Sequence, residues 1–454
     1  MTARLVDGAD TDRTRWRLVA FAAGALLVCT NGPSTFIGLE LLRPRDLRVE
    51  SWHFVYPFGI VAIGGSTLLA RHIRPDGVRS LGWAAVPLAA FLAVTLASGT
   101  WSVAPELTSG RALLGVGIAA FAVWFGRCLR LEEQMWSVFL GVHAGLAASI
   151  GLLVAAPARA KTDPFLNHPY WRGIWGNRNS LAPVCVLAIL TTGGLVLAIR
   201  DPRARIGLGA LVPVDAILLW GARSDTALAA LLMSALAAVC LAACLPSLQR
   251  RGVPGWGLAA LGAIVIAVGW RVLFGHIDRF TELVGKDSSF TSRRPIWQAV
   301  RQLAHLHLAR GYGWWAIWDS PVVADLYARL GPFGSAHNGL LEVILGVGLL
   351  GAVPFVGFVA FAVARPVRNT WSGADSAGAW WVAVVTFTLV ENLTESFVLW
   401  NSYIWVLLIA AAFVPAASTQ HRRPAGDARP PRRAAARNDT PAAALGQPKE
   451  TAQP

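Results

Sequence analysis

Apolar runs about 20 residues long, joined by short polar links, recur along most of the chain, and that length is what a helix needs to cross a bilayer core. About twelve such blocks fall near residues 16–36, 52–70, 80–98, 109–127, 135–156, 179–199, 206–222, 224–245, 255–274, 338–363, 376–394 and 399–416, spaced as membrane helices are. The pattern predicts an all-α, polytopic membrane protein with about 12 transmembrane helices. The first block follows Arg13, Arg15 and Arg17 and ends without a small-residue cleavage site, so it is expected to remain as an anchor. One link breaks the rhythm. Residues 275–337 are long enough to hold structure of their own, as one large external loop. Within it, SRRPIWQAVRQLAHLHLAR (292–310) predicts an amphipathic helix. Ile296, Val300 and Leu303 share one face, and Arg294, Gln298, Arg301 and His305 lie on the polar side. Such a helix is expected to lie on the bilayer surface, followed by an aromatic, glycine-rich loop (GYGWWAIWDS) at headgroup level.

This division gives a cytoplasmic segment 1–15, a transmembrane domain 16–417 containing the loop 275–337, and an Ala/Pro/Arg-rich tail 418–454 expected to be disordered and cytoplasmic. Composition sharpens it. With 55% hydrophobic and 15% charged residues among 454 and a mean hydropathy of +0.50, the chain is far too apolar for a soluble globule. The net charge of +14 is mostly arginine placed at alternate links. Examples are Arg71, Arg74 and Arg79, then Arg127 and Arg130, Arg200, Arg203 and Arg205, Arg250 and Arg251, and Arg365 and Arg368. By the positive-inside rule these links and both termini are cytoplasmic. Arginines spread over many link ends do not make a nucleic-acid face. Cys29, Cys128, Cys185, Cys240 and Cys244 form no C-x-x-C pair, so they suggest packing residues rather than a disulfide framework or zinc site.

The exceptions to the charge rule cluster on the opposite side. Arg172 and Arg178 lie in the link 157–178, Arg223 in the very short link WGARSDTALA, and Arg293, Arg294 and Arg301 in the long loop, with His337 at its exit. A charge in apolar surroundings costs about 2.5–3.5 kcal/mol on insertion scales, and so is usually kept for a partner or substrate. Guanidinium forks suit phosphate oxygens. Arg111 and Arg172 read as interfacial anchors and Arg301 as a solvated face, whereas Arg223 has no room to wander and reads as functional. For Arg178 and Arg293, composition leaves both readings open. Asp215 reads as half of a pair inside the bundle. His337 is either a helix-start histidine satisfied by backbone or water, or a base able to take a proton near neutrality. Asn338 follows it, and Glu342 lies one turn or so further on. Glu391, Asn392 and Glu395 (VENLTESF) are candidates for a sugar or arginine contact, and Gly346, Gly348 and Gly351 read as close helix packing. No Walker A loop, H-E-x-x-H, G-x-S-x-G or external D-x-D pair occurs. ATP hydrolysis by that route, the common zinc and serine hydrolase chemistries and metal-dependent transfer are therefore not indicated.

From about residue 95 to 400 the order of short motifs resembles the O-antigen ligase and polymerase superfamily of polytopic bacterial glycan transferases. SGTWSVAPELTSGRALLG is similar to its W-S-x-x-P segment, GIWGNRNSLA to its Asn-containing segment (Asn179, with Arg178 beside it), and ARSDTALAAL to its S-R-S/T segment. SRRPIWQAV matches R-x-x-x-W and selects Arg293 over Arg294, while GYG and AHNGLLEVILGVGLLG resemble the G-x-G and H-N-x-x-L-E elements. ARSD in place of SRS and the unusually aromatic GYGWWAIW depart from the pattern. The resemblance implies transfer of a glycan from an undecaprenyl-diphosphate carrier to an acceptor hydroxyl of a glycan, lipid or protein. The reaction would take place on the outer face of the bacterial cytoplasmic membrane, with inversion and without cofactor, nucleotide or metal. It implies Arg178, Arg223 and Arg293 as diphosphate ligands and His337 as the group that deprotonates or orients the acceptor, supported by Asn338 and Glu342. The competing reading is a transporter or flippase of a lipid-linked oligosaccharide or small anion. That reading expects access from both faces and repeated halves or broken helices, whereas the unusual polar residues here lie on one side.

Overall fold

The computed structural model describes residues 3–38, 52–72, 81–161, 170–250, 289–331, 333–371, 376–398 and 401–415. These residues are overwhelmingly helical and contain no strand. In chain order the helices are α1 (Ala3–Cys29), α2 (Gly32–Phe36), α3 (Trp52–His72), α4 (Ala85–Ala97), α5 (Pro105–Cys128), α6 (Leu131–Ala155), α7 (Pro157–Lys161) and α8 (Arg178–Ala198). They continue with α9 (Pro202–Gly209), α10 (Leu211–Ala222), α11 (Asp225–Arg250), α12 (Ser289–Leu306), α13 (Ala324–Leu330), α14 (Gly339–Trp371), α15 (Ser376–Thr394) and α16 (Tyr403–Phe413). Among the described residues, five stretches are long and apolar enough to cross a membrane: α5, α6, α8, α9 together with α10, and α14. The apolar block near 255–274 and the tail 418–454 lie outside the described residues, and every other expected block overlaps a helix.

The bundle closes around α16, whose residues are all buried and which packs against α5, α14 and α15. Its Trp405 ring sits among Phe91, Phe355 and Phe358 at centroid distances of 5.8, 6.0 and 5.7 Å. Aromatic edges fill such a core with large apolar area. Helix ends are satisfied by specific side chains. Buried Gln134 of α6 donates to the carbonyls of Phe125, Gly126 and Leu129 at the end of α5 and accepts from Trp381 at 2.9 Å. As expected for Asp215, it pairs within the bundle, with His143 at 3.2 Å. Cys29 and Cys185 are buried as packing residues, but Cys240 and Cys244 face outward.

Of the glycines expected to serve close packing, Gly346 and Gly351 do so, and the expectation for Gly348 is corrected. Gly348 adopts φ 62, ψ −164 inside α14, so the helix is broken there rather than merely packed closely. The break frees backbone groups that an apolar setting cannot leave bare. The segment after α12 supplies their partners. Tyr312 N donates to Leu345 O and Gly313 N to Gly346 O, both at 2.9 Å, while Leu349 N and Leu350 N donate to Leu308 O and Ala309 O at 2.8 and 3.1 Å. The other side of this segment is held by the turn before α5. Val103 N donates to Tyr312 O at 2.9 Å, Trp101 Nε1 to Arg310 O at 3.0 Å, and Trp314 N to Ser98 Oγ at 3.1 Å. GYG is thus a backbone clamp. A Cβ on Gly313 (φ 102) would lie 2.2 Å from Ser102 Oγ.

A Cβ on Gly348 would lie 2.4 Å from the Ala309 carbonyl group, and its φ and ψ suit glycine alone, at a cost of about 1–3 kcal/mol to other residues. Gly348→Ala is therefore expected to lower the unfolding temperature of the detergent-solubilised protein clearly. Gly193→Ala, where nothing lies within 4 Å, should leave it unchanged or raise it slightly. Equal behaviour of the two variants would contradict the clamp.

Candidate functional site

The R-x-x-x-W spacing puts Arg293 and Trp297 on one face of α12, four residues apart. Both are buried, whereas Arg294, Gln298, Arg301 and His305 are exposed, and Val300 is fully buried with Ile296 and Leu303 packed beside it. The expected amphipathic helix is present, but its apolar face is covered by protein: α12 packs on α14 and α13. Trp297 Nε1 donates to the His337 carbonyl at 3.2 Å. Arg293 Nη2 forms an ion pair with Glu395 Oε1, and His337 Nδ1 lies 2.9 Å from Glu395 Oε2. With a carboxylate as neighbour, Nδ1 carries the hydrogen and donates it, an assignment made from the network. One buried carboxylate therefore joins the loop histidine to the helix arginine.

His337 has a left-handed backbone, φ 48, which costs an L-residue about 1–2 kcal/mol and persists because its surroundings fix it. Asn338 supplies much of that fixing. Its side-chain oxygen accepts from Leu341 N at 2.9 Å as the cap of α14, and its amide group donates to Leu393 O at 3.0 Å. Its backbone N–H donates to Ser396 Oγ at 3.1 Å. Glu342 is buried and accepts from Ala336 N at 2.7 Å and from Trp318 Nε1 at 2.6 Å. It anchors the peptide leading into His337 rather than the imidazole.

Arg178 and Arg223 form a second cluster. Asn177 caps α8 through Ser180 N at 3.0 Å, placing Arg178 in the first turn. Its guanidinium stacks 4.3 Å from the Tyr170 ring centroid and donates to the Arg223 carbonyl at 3.2 Å. Arg223 ends α10 in the left-handed conformation (φ 49) with an exposed side chain. The two clusters meet through the helices that carry them. Thr394, next to Glu395, hydrogen-bonds Thr226 at the start of α11 at 3.2 Å, so all four basic groups belong to one end of the bundle.

Two other expectations are corrected. Arg111 and Arg172 are buried rather than interfacial. Arg111 pairs with Asp319 at 2.9 Å and holds the Trp315 carbonyl, and Arg172 donates to Trp175 O at 3.0 Å. Both pin loops. Glu395, a candidate in sequence for a sugar or arginine contact, makes the arginine contact, with Arg293, and also bonds His337, so it assembles the site. Glu391, one turn earlier, is buried, and among the described residues its Oε1 and Nη1 of Arg293 have no hydrogen-bond partner.

The O-antigen ligase family model matches residues 208–356. The match covers Arg223, Arg293, His337, Asn338, Glu342 and the break at Gly348, with Arg178 before it and Glu395 after it. Among curated proteins, none matches the chain.

Burial alone would raise the Glu395 carboxyl, but Arg293 and His337 overcome it and hold the group below its ordinary value of 4.5. A carboxylate depressed in the folded state stabilises the fold above its unfolded value, and that contribution is lost as pH falls through the lower folded value. Removing one partner of a buried pair costs about 3–5 kcal/mol. Glu395→Gln is thus expected to be destabilised by that order at neutral pH, with the gap to wild type closing below pH 4.5. A gap independent of pH in unfolding measurements would show that Glu395 is not the carboxylate holding the pair.

Proposed function

Taking the O-antigen ligase match over residues 208–356 as premise, we propose that this protein transfers a glycan from an undecaprenyl-diphosphate carrier to an acceptor hydroxyl of a glycan, lipid or protein. The reaction would occur at the outer face of the bacterial cytoplasmic membrane, in a multi-pass chain with both termini cytoplasmic. The observation that carries this reading is the shared carboxylate: Glu395 bonds both Arg293, an anion binder, and His337, a base.

With Nδ1–H held by Glu395, the Nε2 lone pair of His337 is the one offered to an acceptor. The acceptor hydroxyl gives its proton to Nε2 as its oxygen forms a bond to the anomeric carbon. The bond from that carbon to the diphosphate oxygen breaks, and the electron pair leaves with the lipid diphosphate. A single displacement inverts the anomeric centre. Glu395 stabilises the imidazolium that forms. The charge growing on the leaving group is met by Arg293, Arg223 and Arg178, of which Arg293 and Arg178 are held in place by Glu395 and Tyr170 and need little reorganisation when bond cleavage occurs. The buried Nη1 of Arg293, which has no hydrogen-bond partner among the described residues, offers a hydrogen bond that a phosphate oxygen would satisfy. Asn338 and Glu342 hold the backbone that aims His337. The chemistry calls for no nucleotide, cofactor or metal.

The transporter reading has one observation in its favour, the broken helix at Gly348, nine residues or about 14 Å along α14. In carriers such breaks expose backbone groups to cargo. Here the segment 308–313 already occupies those groups, which favours the transferase.

In a purified system with a lipid-diphosphate glycan donor, His337→Ala is expected to lower kcat by about 10²–10⁴-fold, the contribution of a positioned base. Arg293→Ala should be similarly impaired, and Glu395→Gln should lose kcat with donor KM largely retained. Donor crossing the bilayer unaltered, at a rate indifferent to His337→Ala, would overturn the proposal.

A further inference from the structure

The donor proposed above carries a long isoprenoid tail, and α6 and α10 leave a groove where one could lie. A cavity of about 300 Å³ opens between them, lined by Ile150 and Val154 of α6 and Val214 and Ile217 of α10, with Lys161 and Trp171 closing one end. Its walls face outward: Val154 is 79% and Ile217 58% exposed, as expected of side chains meeting lipid. Trp171 also lines the next cavity, of about 290 Å³, together with Tyr170, Trp220, Gly221 and Arg223. The indole is seated on the end of α10. Trp171 N donates to Gly221 O at 3.0 Å, and a Cβ on Gly221 would overlap the ring at 2.1 Å.

The polar end of the groove carries Lys161, Arg178 and Arg223, the first two seated over aromatic rings. Lys161 Nζ lies 5.4 Å from the Trp171 ring centroid, Arg178 stacks on Tyr170, and Arg178 donates to the carbonyl of Arg223. Asp225 is the acidic neighbour in this turn, leaving the cluster positive. An apolar channel open to hydrocarbon and ending in fixed cations and indole rings has the polarity of a molecule with a long apolar tail and a compact, highly charged anionic head.

We infer that the α6–α10 groove seats the isoprenoid tail of the diphosphate donor, with Lys161 joining Arg178 and Arg223 on its head. This rests on the proposed function and extends it. The lipid enters from the side of α6 and α10, its diphosphate lies at the Arg178–Arg223 turn, and its sugar points toward Arg293 and His337, leaving the opposite side for the acceptor. Lys161 becomes a diphosphate ligand that motif spacing does not mark.

Within a bilayer the tail does not leave water, so the groove contributes packing rather than hydrophobic transfer, and kinetic effects should be modest. Ile217→Trp, which fills the groove, is expected to raise donor KM about three- to tenfold with kcat nearly unchanged. Val353→Trp, at an outward position 70% exposed on α14, should have no effect. In wild-type protein in nanodiscs, a lipid diphosphate with a photoreactive tail should label α6 and α10. Excess undecaprenyl diphosphate should compete and excess phosphatidylglycerol should not. Labelling on other helices, competition by phosphatidylglycerol, or equal behaviour of the two tryptophan variants would overturn the assignment. If the groove labels as stated but wild type transfers no glycan, the inference survives and the proposed reaction fails. Transfer with label elsewhere is the reverse.

Discussion

A backbone amide or carbonyl in an apolar setting must find a partner within the protein, and the site depends on how that constraint is met at Gly348. The break in α14 presents two carbonyls and two amides, and the segment 308–313 answers all four. The same segment is gripped from behind by the turn before α5. With its trailing end clamped, α12 is fixed across the bundle end, and its buried face presents Arg293 and Trp297 to the loop that carries His337. The apolar neighbours of the GYG segment therefore position chemistry they do not touch.

Electrostatics then ties the charged groups of this end together. Arg293 would be costly to bury alone, and Glu395 compensates it while also fixing the imidazole. The left-handed backbones of His337 and Arg223 sit where strain needs a reason, and both residues present their side chains at the same end of the bundle. The guanidinium forks of Arg178 and Arg293 and the imidazole of His337 are thereby brought to the same end.

Much of this was legible in the sequence because helical spacing and short links constrain strongly. The resemblance of SRRPIWQAV to the family's R-x-x-x-W selected Arg293, the buried arginine, over its exposed neighbour, and the brevity of WGARSDTALA fixed Arg223 at a helix end. The rest depended on long-range partners that periodicity cannot carry. Glu395 lies 58 residues from His337 and 102 from Arg293, so nothing local marked it as their common partner. Arg111 and Arg172 resemble interfacial anchors by position, yet each finds loop carbonyls, and Arg111 a carboxylate. The glycines of α14 have the composition of a packing face, and only the incoming loop reveals a break. Amphipathicity placed α12 correctly along the chain but could not tell a membrane surface from the protein surface that covers it.

The proposed reaction breaks the bond between a sugar and a lipid diphosphate at this bundle end by direct displacement. The most direct measurement is the stoichiometry and anomeric configuration of the products made by wild-type protein from a defined lipid-diphosphate glycan and acceptor. The expected result is one lipid diphosphate released for each glycan transferred, with the anomeric configuration inverted. Retained configuration, or loss of donor from one leaflet with its glycosidic bond intact, would contradict it.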